Sequence, residues 1–401
     1  MSSLLPDPLR TVLFLGLFPL FALMTAAPLQ AGEMVLSPSL SLRQEYNDNV
    51  YAETSGKRGD HISTVSPALS LSWRDETADA RISSGVNAPY YLRDTKEPDP
   101  GYFLRGGGNL ALSPRGALAA GLDLTRDSGA SSIDPETSLP VGSRIDRQGY
   151  RIAGRYRLSE RVLSVLELGW SRDDYQSPAY LDTEHYQGSA RVEYGLPRLA
   201  PDLVLSPQIS LRRDSTGQSR VDNLGVALGV SRRLDELWDT SLSAGWRFTR
   251  SEFSAAQGGG TTESEDTGAI ASFTLGFRGE TLAAKLDLSH ALTSASGQNG
   301  ARQRTGGSLT VSERFTRRLS GSVTAGYARS SSSQNQFASQ EVDDRSGSLA
   351  ASFRYRILEE PRDLSIEALY SRYNTRYRLA GTEMLQNVVM LRLNWRHEMF
   401  R

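Results

Sequence analysis

The sequence contains no cysteine, which excludes a disulfide scaffold, a thiolate metal site and a cysteine nucleophile. Histidine is limited to His61, His185, His290 and His397. No nucleophile motif accompanies any of them, so they are expected to be solvated surface residues and no catalytic group is expected. Net charge is nearly absent as well. The 45 basic and 46 acidic residues cancel to −1, without the basic excess of a nucleic-acid binder. Lysine occurs only as Lys57, Lys96 and Lys285, so almost all positive charge is arginine. Beyond the N-terminus no apolar run is long enough to cross a bilayer as a helix. Helical periodicity is scarce throughout. No cofactor or structural metal is implied; the adjacent acids Asp173-Asp174 and Asp343-Asp344 are the nearest thing to a weak calcium site, and solvation is the simpler expectation.

The first apolar run, residues 12–24, follows Arg10, is interrupted by Pro19 and gives way to the small residues Ala26, Ala27 and Ala31. This is the layout of a secretory signal peptide, expected to span residues 1–31. Residues 32–401 then form one domain.

What fills that domain is alternation with period 2. Leu242, Ala244, Trp246 and Phe248 alternate with Ser243, Gly245, Arg247 and Thr249. Leu349, Ala351, Phe353, Tyr355 and Ile357 alternate with Ala350, Ser352, Arg354 and Arg356. Such segments predict two-faced strands. About eighteen are expected, with sixteen as the alternative, centred near residues 40, 68, 84, 108, 121, 152, 167, 190, 207, 226, 246, 272, 286, 308, 324, 351, 367 and 391. Those near 108 and 308 are weakened by glycine. Long polar connections, such as 48–60, 127–144 and 330–344, alternate with short turns, such as 75–77 and 113–116. A soluble sandwich would also alternate. The length of the segments, the signal peptide and a second face of Ser, Gly, Thr and Arg favour a transmembrane antiparallel up-and-down β-barrel of the outer membrane. A mean hydropathy of −0.40 is compatible with this, because only alternate residues face lipid. Aromatics near segment ends, such as Trp73, Tyr156, Trp170, Phe277 and Trp395, suit interfacial girdles.

The same alternation assigns a second, inward face. It carries Arg81, Arg151, Arg155, Arg157, Arg191, Arg247, Arg278, Arg354, Arg356 and Arg392, with the acids Asp123, Glu167, Glu193, Asp287 and Glu367. Opposed charges across a pore set up a transverse field, and guanidinium groups bind carboxylates and phosphates in bidentate fashion. The bland account is that these groups pair and only hydrate the wall. The last strand, ending Met399-Phe400-Arg401, has the form of a barrel-assembly signal, although Phe400 is out of phase with Leu393 and Trp395.

One segment carries a resemblance. Leu40 to Tyr51, and within it Glu45-Tyr46-Asn47-Asp48-Asn49-Val50-Tyr51, is similar to the opening strand of the β-barrel porins associated with bacterial exopolysaccharide secretion. Asn-Asp-Asn also suits any strand end. The resemblance implies a monomeric outer-membrane pore serving a polysaccharide export assembly, and it brings no catalytic residues. The expected partners are the lipid bilayer and lipopolysaccharide, the barrel-assembly machinery and a periplasmic polysaccharide-export component, with no nucleic acid. Competing readings are a general diffusion porin, told apart by whether an external connection folds inward (127–144 being the candidate), a closed structural or adhesive barrel, and a barrel hydrolase.

Overall fold

The computed structural model describes residues 32–93, 99–127, 144–176, 180–254, 261–294, 300–333, 336–338, 341–359 and 361–399. The expected signal peptide, nearly all of the 127–144 connection and the terminal Phe400-Arg401 lie outside them.

The chain forms eighteen antiparallel strands: β1 Glu33–Asn47, β2 Asp60–Arg74, β3 Ala78–Tyr91, β4 Gly101–Ser113, β5 Gly116–Arg126, β6 Ile145–Ser159, β7 Val162–Tyr175, β8 Thr183–Gly195, β9 Val204–Thr216, β10 Ser219–Arg233, β11 Trp238–Ser254, β12 Thr261–Arg278, β13 Leu282–Ser294, β14 Ala301–Arg314, β15 Leu319–Ser332, β16 Val342–Leu358, β17 Arg362–Tyr377 and β18 Thr382–His397. Each expected centre falls inside its strand, including the glycine-rich β4 and β14. Each strand pairs with its sequence neighbours, and β1 pairs with β18 from Ser39–Arg396 to Asn47–Val388. The sheet is a closed up-and-down barrel. Pairing of every strand on both sides removes the free edges of an open sheet, which is the condition for strands to cross lipid.

The two faces separate as the alternation requires. Leu42 pairs with Val65 and with Leu393, and all three are exposed on the outer face. Leu69, Ile152, Leu168, Leu211, Leu228, Trp246 and Leu391 continue this apolar exterior around the wall. The aromatics expected at strand ends lie on the same face. Trp238 packs on Phe277 at 4.9 Å near the end of the barrel that carries the short turns, and Tyr150 stacks on Trp170 at 5.4 Å higher up. Side chains of the opposite phase are the sheltered ones; Glu45, Asn47, Thr64, Asp214, Arg247, Thr249 and Gln386 are buried.

The connections depart from strict long–short alternation. β9 and β10 join through residues 217–218 at the long-loop end, whereas 196–203 forms a long connection at the opposite end. The polar stretch 261–266 is strand, since β12 begins at Thr261, and β17 runs on to Tyr377. Polar outward residues near that rim look like loop in sequence, yet the hairpin hydrogen bonds continue through them.

Two seams of the wall differ. β12 and β13 are joined by only residues 279–281, but their pairing stops at Ala271–His290, above which Thr261 to Ile270 pair with β11 alone. The β1–β18 seam joins the two ends of the chain and is extended by side chains. Asp48 Oδ1 and Oδ2 accept from the backbone N–H and Nδ2 of Asn387, both at 2.6 Å. Asn49 Nδ2 donates to the carbonyls of Leu385 (3.0 Å) and Glu53 (2.8 Å), and Gln386 Nε2 donates to the Asn49 carbonyl at 2.7 Å. The Asn47-Asp48-Asn49 segment is therefore a clasp across the closing seam as well as a strand end.

Candidate functional site: the barrel lumen

Ladder register places all the arginines and acids expected to face inward on the inner face. Gly121–Arg151, Ala117–Arg155 and Ala153–Glu167 lie in inward ranks, as do Val165–Arg191, Leu163–Glu193, Gly225–Arg247 and Glu367–Arg392. They are not one cluster. Arg191 pairs with Glu193 at 2.8 Å, two residues along the same strand. Arg354 and Arg392 share Glu367 at 3.4 and 3.6 Å, and Arg356 lies 3.7 Å from Asp363. Asp123 pairs with Arg105 at 3.1 Å and Asp287 with Lys285 at 2.9 Å. Arg81 donates to the Ser70 hydroxyl at 3.1 Å. Among the described residues Arg81, Arg151, Arg155, Arg157 and Arg278 make no ion pair, and neither does Glu167. The bland expectation of complete pairing therefore holds for one part of the lumen and not for another. The unpaired arginines leave positive charge on the wall.

Arg247 is the most enclosed of these groups, with 1 % of its surface exposed. Nη1 lies 3.0 Å from Asp266 Oδ2 and donates to Thr249 Oγ1 at 2.8 Å, and Thr249 Oγ1 in turn donates to Asn223 Oδ1 at 2.8 Å. The guanidinium lies flat over Gly268, where a Cβ would come within 2.6 Å of Nη2. Its other face is covered by the Phe337 ring, centred 4.5 Å away, a cation–π arrangement.

Phe337 belongs to the connection between β15 and β16, and it is fully buried against Val221, Leu292 and Ala301. Its amide and that of Ala338 donate to Ser332 Oγ at 3.2 Å, its carbonyl accepts from Ala301 N–H at 2.7 Å, and Gln336 Nε2 donates to Asp266 Oδ1 at 3.0 Å. An external connection thus folds onto the inner wall at 336–338; the expected candidate, 127–144, lies almost wholly outside the described residues. The signal available in the sequence was a lone aromatic in a run of Ser, Gln and Asn.

Below this segment a cavity of about 350 Å³ is lined from one side by Arg151, Glu167, Gln208 and Arg212 and from the other by Ser272 and Ser289. The lining is a contiguous stretch of wall from β6 to β13, with Asn223 of β10 and Ser243 of β11 between the two groups.

The histidines correct the expectation in part. His185 is no solvated surface residue: its Nδ1 bonds Asp214 Oδ1, and Asp214, itself buried, also accepts from Arg212 Nε at 2.8 Å. The pairing braces β8 to β9 on the inner face. His290 is held by Thr305 Oγ1 and Gln303 Nε2, both at 2.6 Å, and His61 lies against the Tyr46 ring at 4.9 Å. The adjacent acids point to opposite faces and go to different arginines. Asp173 pairs with Arg147 and Asp174 with Arg172. Asp344 pairs with Arg302 and Asp343 with Arg329 and Arg378. Neither pair can chelate one cation. Among the described residues no group of three or more acidic or histidine side chains is placed to hold a metal.

No protein-family model matches the chain, and no curated protein matches it. Solved structures do. Pseudomonas aeruginosa OpdK with vanillate aligns with a TM-score of 0.48 and 12 % identity over 91 % of this chain and 99 % of that one. P. aeruginosa OccK2 (OpdF) in complex with glucuronate aligns with a TM-score of 0.48 and 12 % identity over 92 % and 98 %. Acinetobacter baumannii OccAB4 aligns with a TM-score of 0.49 and 10 % identity over 93 % and 100 %.

Proposed function

We propose that this chain is an outer-membrane channel of a Gram-negative cell, a transporter and not a catalyst, that passes polar anionic solutes, with an acidic exopolysaccharide on its way out as the finer reading. The observation that carries the channel is the two-faced closed wall, apolar outside and lined with arginine and carboxylate inside. The observation that carries anion preference is the set of inner arginines left without a carboxylate among the described residues: Arg81, Arg151, Arg155, Arg157 and Arg278. Such groups raise the local concentration of anions and bind carboxylate or phosphate oxygens in pairs. Closure within a single chain supports action as a monomer, inserted by the barrel-assembly machinery. The export reading rests on the opening-strand resemblance and requires a periplasmic polysaccharide-export partner.

The test is electrical. The purified protein should migrate differently on a denaturing gel before and after heating, and should conduct in planar bilayers. Under a salt gradient its reversal potential should show anion preference, weakened by Arg151→Gln with Arg155→Gln. Cation preference in the unaltered protein would overturn the anion reading.

A general diffusion porin is the second reading, favoured by the inward-folded segment at 336–338, which narrows the lumen. Saturable block of the current by acidic oligosaccharides supports export; unsaturated passage of small solutes of either charge supports diffusion.

A further inference from the structure

The outer wall carries two apolar grooves, and their rims differ in charge. The first, about 1200 Å³, runs over β7 to β12 past Leu168, Leu211, Leu224 and Phe248. Its rim is rich in acid: Asp222 takes Arg213 and Arg220, and Arg250 lies between Glu252 and Glu263. The second, about 970 Å³, lies at the fork where β12 parts from β13, between Leu242 and Phe273 on one side and Leu288, Leu309 and Tyr327 on the other.

Ladder ranks give the order of side chains within the second groove. One rank runs Leu275, Leu286, Leu309, Ala325, Leu349. The next, toward the long-loop end, runs Phe273, Leu288, Gly307, Tyr327, Gly347. The third runs Ala271, His290, Thr305, Arg329, Arg345, followed on β17 by Arg376. Apolar ranks thus end in a cationic rank on the same outward face. The acids near it do not balance it. Asp343 is shared by Arg329 (2.9 Å) and Arg378 (2.8 Å), Glu383 pairs with Arg376 at 3.4 Å, and Arg345 forms no ion pair among the described residues.

We propose that this second groove is a binding site for a phosphorylated lipid of the surrounding leaflet, an acyl chain lying over Leu288, Leu309 and Tyr327 and a phosphate resting on Arg345 and Arg329. The inference rests on the outer-membrane reading of the wall, since only there does this face meet lipid. Apolar ranks at membrane depth give an acyl chain no water to displace at a cost, and the guanidinium of Arg345 has donors to spare for phosphate oxygens. The groove over β7 to β12 has the apolar part, but its rim arginines Arg213, Arg220 and Arg250 are all paired with carboxylates, and it serves as the internal control.

The experiment uses the full-length purified barrel in detergent and native mass spectrometry. Three probes are added: a diphosphorylated, multiply acylated glucosamine disaccharide lipid, the same lipid without phosphates, and inorganic phosphate. The phosphorylated lipid should bind and the other two should bind at least tenfold more weakly. The double variant Arg329→Gln with Arg345→Gln should lose about tenfold in affinity for the phosphorylated lipid, the scale of one charge-assisted contact. Ala325→Trp, which fills the groove from its exposed floor, should weaken the lipid similarly with both arginines intact. Leu224→Trp in the other groove should change nothing. Equal binding by the unphosphorylated lipid, full competition by inorganic phosphate, or unchanged affinity in both groove variants overturns the proposal. Gel heat-shift and bilayer conductance are measured on every variant. If they are retained while lipid selectivity is absent, the site is refuted and the barrel reading stands; if they are absent in the unaltered protein, that reading fails first.

Discussion

The two unusual seams of the barrel invert what chain entropy alone would suggest. β12 and β13 are joined by a short turn, so bringing them together costs little. Yet they part at Ala271–His290. β1 and β18 lie at opposite ends of the chain, where loop closure is most costly, and at the rim they are locked by the side chains of Asp48, Asn49 and Gln386. The two ladders are of similar length, but the chain-end seam stays paired up to Asn47–Val388 at the long-loop rim while the short-turn seam stops below it, so the shortness of a connection does not decide which seam is closed at that rim. Where the β12–β13 ladder ends, the Phe337 segment takes over: it spans Arg247 and Asp266 on one side of the fork and Leu292 and Ala301 on the other.

The largest expected effect comes from removing that substitute. Phe337→Ala strips a fully buried ring from the cluster and uncovers the Arg247 guanidinium. A loss of about 3 kcal/mol is expected if the fork depends on it. Thermal loss of the compact gel form should come at lower temperature, and single-channel conductance should rise as 336–338 leaves the lumen. Unchanged conductance would mean that the segment does not narrow the pore, and the contrast between the seams would lose its functional side.

The clasp comes next. Asn49→Ala deletes the side chain that accepts from Glu53 N–H at 3.0 Å and donates to the carbonyls of Glu53 and Leu385. Because the site is buried, groups left without partners should cost about 1–3 kcal/mol. The effect should be read as a lower unfolding temperature with normal conductance, the reverse of the Phe337 pattern. If Asn49→Ala alters conductance as Phe337→Ala does, the seams are not separate devices.

This contrast also marks where the sequence was readable. Alternation is local, so Leu242 to Thr249 or Leu349 to Ile357 declare their two faces unaided, and every strand was found. The inner arginines follow from the same phase. What alternation does not encode is the partner. Residues 261–268 of β12 lose the apolar alternation and look like loop, yet they stay paired with β11 while β13 leaves, and their composition does not say which neighbour is kept. Asp48 and Asn49 look like a local turn because their carbonyl and amide partners are Leu385 and Asn387, at the far end of the chain. Phe337 sits in a polar stretch, and its burial depends on Val221 and Leu292 from two other strands. Short-range signals survive in the sequence; closure and constriction are long-range and do not.

At the opposite end of the barrel the fastening is local again, which gives the smallest prediction. Several short turns are capped by their own side chains: Asp235 Oδ1 accepts from Leu237 and Trp238 N–H at 2.8 Å, and Thr316 Oγ1 from Leu319 N–H at 2.9 Å. In the β2–β3 turn Asp75 Oδ1 accepts from the N–H groups of Thr77 and Ala78, both at 2.7 Å. The Thr77 amide foremost, then that of Ala78, holds the Asp75 carboxyl below the usual carboxylate range. A depressed folded-state value means that the carboxylate's contribution is complete above the ordinary aspartate value and fades as pH falls through the lowered one. Acidification should therefore loosen this turn, whereas Asp75→Asn should show no such fading in that window. Hydrogen exchange of the Thr77 and Ala78 amides across the acid range is the measurement. If those amides exchange identically in both proteins at every pH, the turn is held by the strand ladders alone. Local capping would then contribute nothing that the seams do not already supply.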